Sequence, residues 1–149
     1  MIAIRKGIEQ DLPAALELVR ELAKYEKEPE AVTADLEDYR KSLADGDFEF
    51  MVAEAEGRVI GLVLYYMCFS TWKGKMMYLE DFIVTRDWRG RGVGSLLYQA
   101  FMDESRRQRA RLSKWQVLDW NEPALSFYRK QNAIIESEWL NCKVFHPNN

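Results

Sequence analysis

Residues 76–102 read MMYLEDFIVTRDWRGRGVGSLLYQAFM, and the organisation of the chain follows from them. Met76–Val84 is an apolar run of β-forming residues interrupted by Glu80 and Asp81. Arg89-Gly90-Arg91-Gly92-Val93-Gly94-Ser95 follows, three glycines alternating with other residues. The next residues, SLLYQAFMDESRR, have helical spacing. A glycine-rich turn between strand and helix lets the backbone approach a ligand closely, and the free N–H groups of the helix N-terminus favour an anion. The spacing G-x-G-x-G is neither the dinucleotide fingerprint nor the P-loop, which also needs a Lys-Ser/Thr pair that is missing here. The same residues also suit a tight turn with no ligand.

Working outward, residues 2–5 alternate like a short strand. Asp11 and Pro13 start a helix to about Lys24, and a second helix is predicted over Ala34–Leu43. Strands are predicted over 48–55 and 59–69, joined by a turn at Glu56-Gly57-Arg58, with a loop at 70–75 before the strand 76–84. Residues 112–120 read as a further strand, and Asn121-Glu122-Pro123 opens a helix to about Gln131. Residues 133–136 and 139–145 read as a closing pair of strands. Hairpins first and crossovers second imply an α/β fold: a mixed, mostly antiparallel sheet of about six to seven strands with helices on both faces. The expectation is one domain over 1–149, with no repeat and no Pro-, Gly- or Ser-rich linker.

Composition narrows the function. A net charge of −3 disfavours nonspecific nucleic-acid binding. The arginines at 106, 107, 109 and 111 fall at the end of a predicted helix, where they complement its dipole. Cys68 and Cys142 are too few for a zinc site or a disulfide framework. They fit reduced thiols, and with no signal-peptide pattern and no membrane-length apolar run the expectation is a cytoplasmic protein away from membranes. His146 is the one histidine, so no metal is expected, and acid–base chemistry falls to Glu, Asp, Tyr, Lys or water.

Arg89-x-x-Gly92-x-Gly94 resembles the pyrophosphate-binding signature of the GNAT acyltransferase superfamily, which binds acetyl-CoA. Three further segments resemble its spermidine/spermine and thialysine N-acetyltransferase branch: Glu21-Leu22-Ala23-Lys24-Tyr25-Glu26, Tyr78-Leu79-Glu80-Asp81-Phe82, and WNEPALSFY at 120–128. The resemblance implies a GNAT fold in which the strand before the turn separates from its neighbour, and the acyl-pantetheine arm enters that opening. It implies cofactor contacts at Phe82, Ile83 and Val84, at Arg89, Gly90, Arg91, Gly92, Val93, Gly94 and Ser95, and at Asn121, Ala124 and Tyr128. It implies amine-substrate contacts at Tyr25, Glu26, Trp72, Glu80 and Asp81, and a homodimer.

The chemistry is consistent with these residue types. An alkyl ammonium with a pKa near 10.4 leaves about one molecule in 2,500 neutral at pH 7, a penalty of roughly 4.6 kcal/mol for the nucleophile. An amine acetyltransferase therefore needs a base, and the resemblance gives that role to Glu80, acting through water. Adjacent strand residues face opposite sides, so Glu80 and Asp81 share a pocket only if a bulge re-aims one. The Tyr128 phenol suits protonation of the departing sulfur. Asn121 also reads as an N-cap. Acidic residues after Glu26 would attract a polycation.

The chain departs from the branch at Ser70-Thr71-Trp72, where the spermidine-type enzymes carry an acid two residues before the tryptophan. It also departs at Asn132, in place of a glycine, and in the connection from Val32 to Phe48. The first tilts the expected acceptor towards a thialysine- or lysine-like amine or a short diamine. The expected function is acetyl transfer from acetyl-CoA to the primary amine of a small molecule. The alternatives are another acceptor (a protein N-terminus or an aminoglycoside) and an acyl-CoA-binding regulatory domain without turnover.

Overall fold

The computed structural model describes residues 1–147. The elements are β1 (Ala3–Lys6), α1 (Leu12–Tyr25), α2 (Leu36–Ala44), β2 (Glu49–Ala55), β3 (Arg58–Ser70), β4 (Gly74–Val84), α3 (Val93–Arg107), β5 (Leu112–Lys114) and α4 (Glu122–Lys130). They fall into two compact units, one from Met1 to Gln116 and one from Val117 onward.

The first unit is a sheet of order β1-β2-β3-β4-β5. Every pair is antiparallel except β4 with β5, which run parallel through three residue pairs. β3 is apolar on both sides because both of its faces are covered. Val63 and Tyr65 pack with Val93, Leu97 and Phe101 of α3. Leu62 and Leu64 pack with Leu12, Ala15 and Leu18 of α1, and Leu36 and Tyr39 of α2 join that side. Each fully buried aliphatic or aromatic side chain contributes about 1.5–3 kcal/mol. Gly61 permits the close approach of α3, since a Cβ there would stand 2.8 Å from the Leu97 Cδ1.

Helix ends follow their residues, with one exchange of roles. Asp35 accepts from the Asp38 N–H at 3.0 Å, and the Asp35 N–H donates to Asp38 at 2.9 Å, a reciprocal box that starts α2 two residues later than Ala34. Asp11 holds the N-cap position of α1, but its carboxylate does not cap it. It accepts from Arg5 Nη1 and Nη2 at 2.7 and 2.9 Å and from the Ile8 N–H at 2.9 Å, tying β1 to the helix start. Hydrogen bonding to Arg5 holds this carboxyl below its ordinary value.

The sheet departs from alternation once in β4. Leu64 faces Asp81 and Tyr65 faces Leu79, so Glu80 is an extra residue with no partner across the ladder. Met77 and Leu79 therefore face α3, whereas Ile83 faces α1. The bulge shifts the phase of the strand by one residue.

The described residues form five strands, fewer than the six to seven expected. Of 112–120, only Leu112–Lys114 pairs. Residues 133–136 and 139–145 carry no strand. Their β-forming composition supplies no ladder by itself, because a strand needs a hydrogen-bonding partner. In the second unit α4 is the one regular element, and Ile134 and Leu140 beyond it are 90% and 86% exposed. Among the described residues, no helix is long and apolar enough to cross a membrane.

Candidate active site

The glycine turn takes its shape from positive backbone angles. Gly90 has φ 75° and Gly92, the N-cap of α3, has φ 83°. L-residues with a Cβ rarely adopt these values. Nothing lies within 4 Å of a Cβ built on either glycine, so the turn is open on that side. No side chain caps α3, which leaves its first N–H groups, from Val93 to Ser95, directed at an incoming anion. Gly94 lies against the Phe82 ring, whose Cζ would stand 3.8 Å from its Cβ.

The arginines of the turn are engaged. Arg89 Nε donates to the Val84 carbonyl at 2.8 Å, and Nη2 donates to Glu21 at 3.2 Å. Its guanidinium stands 5.5 Å from the Tyr25 ring centroid. Glu21 also accepts from Thr85 Oγ1 at 2.8 Å and from the Arg86 N–H at 3.1 Å, so α1 clamps the junction of β4 with the turn. Arg91 stacks over Trp88, 4.7 Å from its centroid.

Pairing of β4 with β5 covers Met76–Tyr78 and Leu112–Lys114. The Thr85 N–H donates to the Ile60 carbonyl at 2.8 Å. Strand alternation then turns the backbone groups of Val84 and Phe82 away from β3 and those of Ile83 towards it. Of these three expected cofactor contacts, Ile83 is the exception: its backbone faces β3 and its side chain is buried against α1.

Glu80 and Asp81 line one cavity of 420 Å³ together with Tyr66, Tyr39, Asp38 and Asp47. The bulge brings them there. Leu79 faces α3, so Glu80 faces the α1 side, and the skipped partner turns Asp81 to that side as well. Tyr66 Oη donates to Glu80 Oε1 at 2.8 Å. Burial pushes the Asp81 carboxyl up to about 7, and the charges of Glu80 and then Glu26 add to the effect. Burial also raises Glu26 above the usual carboxylate range. Burial, followed by Asp81, pushes the Tyr39 phenol up to about 12. The site thus holds several carboxylates, one of them poised near neutrality, and suits a cation that brings its own proton to give away.

Other expected substrate residues are placed differently. Trp72 is at the tip of the β3–β4 hairpin, 82% exposed, and is not part of the cavity wall. Tyr25 faces Arg89 of the turn, and Glu26 reaches the cavity through its charge on Asp81.

In the second unit, Asn121 accepts from the Ala124 N–H at 3.4 Å as the N-cap of α4. Tyr128 is one of the two buried residues of that helix. Asn132 takes φ 60°, the left-handed conformation a glycine would adopt there, and the Ala133 N–H closes onto the Tyr128 carbonyl at 3.1 Å.

Asp38 belongs to the acidic residues after Glu26, whereas Tyr66, Tyr39 and Asp47 were not anticipated. Their only sequence signal was a tyrosine inside a long strand and residues in or beside a predicted helix, both common on ordinary surfaces. Among the described residues no group of three or more His, Cys, Asp or Glu is arranged to hold a metal ion.

A model of the acetyltransferase (GNAT) family matches residues 12–133. The chain is 35% identical to a thialysine N-epsilon-acetyltransferase of Bos taurus, over 97% of this chain and 92% of that protein. It is 27% identical to the spermidine/spermine N(1)-acetyltransferase-like protein 1 of Homo sapiens, over 97% of this chain and 22% of that longer protein. Among solved structures, an aminoglycoside acetyltransferase from an uncultured soil metagenomic sample, in complex with sisomicin, superposes with a TM-score of 0.81 at 21% identity, covering 97% of this chain and 96% of that one. That likeness bears on the fold, whereas the family match and the identity to the thialysine enzyme bear on descent: the chain belongs to the GNAT acetyltransferase family.

Proposed function

We propose that this N-acetyltransferase moves the acetyl group of acetyl-CoA to the primary amine of a small molecule, a thialysine- or lysine-like amine, a diamine or a polyamine, by direct attack. The observation that carries this reading is the meeting of Glu80 and Asp81 in one acidic cavity, on the strand whose far end leads into an uncapped glycine turn. The thialysine enzyme of Bos taurus supports the choice of acceptor class.

The pyrophosphate of the donor binds the N–H groups from Gly90 to Ser95, with Arg89 and Arg91 beside them. The pantetheine arm follows β4 at Phe82 and Val84, and Asn121 and Ala124 are further donor contacts. The chain works as a single domain over 1–149. The ammonium of the acceptor enters the cavity, where Asp81 and Glu26 compensate its charge. Glu80 takes one proton through a water molecule. The neutral amine attacks the thioester carbonyl, and β4 backbone N–H groups receive the developing oxyanion. The C–N bond forms, the C–S bond breaks, and Tyr128 protonates the departing thiolate; the second proton of the nitrogen leaves by way of water and restores the Tyr128 phenol. The products are the acetylated amine and the thiol of CoA. We propose further that the protein works as a homodimer in the cytoplasm.

The test mixes purified protein, acetyl-CoA and a panel of spermidine, putrescine, thialysine, lysine and a lysine-containing peptide, and follows free-thiol release. Turnover on one amine is expected, lost in Tyr128→Phe and in Glu80→Gln. Transfer to the peptide or to an aminoglycoside, but to none of the small amines, overturns the acceptor class. Binding of acetyl-CoA with no thiol release from any acceptor points to the regulatory alternative.

A further inference from the structure

Tyr66 has no role in the scheme above, yet its surroundings single it out. It lies on β3 opposite Tyr78, and the two rings stack with centroids 5.5 Å apart. Its hydroxyl donates to Glu80 Oε1 at 2.8 Å. It also forms part of the cavity wall. Glu80 is the extra residue of the bulge, so no residue stands opposite it in the ladder. A long side chain in that position has several rotamers open to it, and holding one of them costs conformational entropy. The phenol is held by its ring stack, and it in turn holds one oxygen of the carboxylate.

We propose that Tyr66 is a positioning residue for proton transfer: its hydroxyl fixes the Glu80 carboxylate inside the cavity and leaves the second oxygen for the proton of the amine. The proposal rests on the reading of Glu80 as the base. The phenol keeps its own proton throughout, since burial and the bond to Glu80 push it well above its ordinary value.

Several groups face this carboxylate. β3 brings Tyr66 and Cys68, and β4 brings Tyr78 and Asp81. From the helical side come Tyr39 and Asp38 of α2 and Asp47 after it, with Arg20 of α1 acting on Tyr39 and Glu26 beyond α1 acting on Asp81.

The experiment compares wild type, Tyr66→Phe, Glu80→Gln and the double variant, with thialysine as acceptor. Phenylalanine keeps the ring stack, so folding is preserved, and the KM for acetyl-CoA reports on it. In Tyr66→Phe, kcat is expected to fall about tenfold, with the KM for acetyl-CoA unchanged. Added to Glu80→Gln, the same substitution is expected to cost nothing further, because the residues act as one unit.

Wild-type kinetics in Tyr66→Phe overturn the proposal, as does an undiminished further loss in the double variant. If Glu80→Gln is inactive while Tyr66→Phe behaves as wild type, the Tyr66 role falls and the base assignment stands. If Glu80→Gln keeps the wild-type rate, the base assignment falls and takes the Tyr66 role with it.

Discussion

The glycine turn and the Glu80 bulge both break the regularity of the backbone, and they do so by different means. The turn needs positive φ at Gly90 and Gly92, and glycine is the residue that adopts it freely. The bulge uses residues of ordinary conformation and exists only because β3 and β4 pair with one residue skipped. An anion site of the first kind is written in residue types along a single stretch. A carboxylate pocket of the second kind is written in the register between two strands.

The comparison is broken most sharply by deleting Glu80. The deletion leaves Leu79 facing α3, Asp81 and Ile83 facing α1, and Phe82 facing α3, which is plain alternation. The expected product folds with a melting temperature near that of wild type and binds acetyl-CoA, while thiol release falls by about a thousandfold. Loss of cooperative unfolding in that variant would show that the bulge serves the fold and not the site. Next in size is Gly92→Val. It forces a β-branched residue into the left-handed region, and is expected to weaken acetyl-CoA binding about a hundredfold in calorimetry and to cost about 1–2 kcal/mol of stability.

A third test uses pH. The Asp81 carboxyl ionises near 7 in the fold against 3.8 ordinarily. Between those values the native state binds the extra proton, so this group subtracts stability as pH rises through the window. Asp81→Asn is therefore expected to match wild type at pH 4 and to exceed it by about 4 kcal/mol at pH 8, measured by urea unfolding. The smallest effect is expected from Arg89→Gln. Its pair with Glu21 is largely exposed, so the stability change stays below about 1 kcal/mol. Loss of a charge beside the turn is expected to weaken acetyl-CoA binding about fivefold.

Local chemistry made much of the molecule legible in advance. Asn121 and Asn132 announce a helix start and a left-handed stop by what their short side chains do to nearby backbone. The long strands and the turn follow from composition and glycine spacing. Pairing was not legible. The residues at 133–136 and 139–145 have the composition of strands and form none, because composition does not name a partner. For the same reason Tyr66 gave no signal: its value lies in reaching Glu80 across a hairpin, from a place opposite Tyr78 that only the pairing of the strands defines. Asp81 was visible as an acid in an apolar run, but its company with Glu80 was conditional on a bulge that no residue type announces.

The phase shift in β4 also bears on how such a strand changes over generations. Every apolar side chain of β4 faces the side it would face if the extra residue were absent. Gaining or losing one codon at this point therefore leaves the hydrophobic core untouched and alters only how many carboxylates the cavity receives. Reactivity and foldability are in this way heritable separately within one strand, and a lineage is free to explore acceptors at the bulge without first repairing its core.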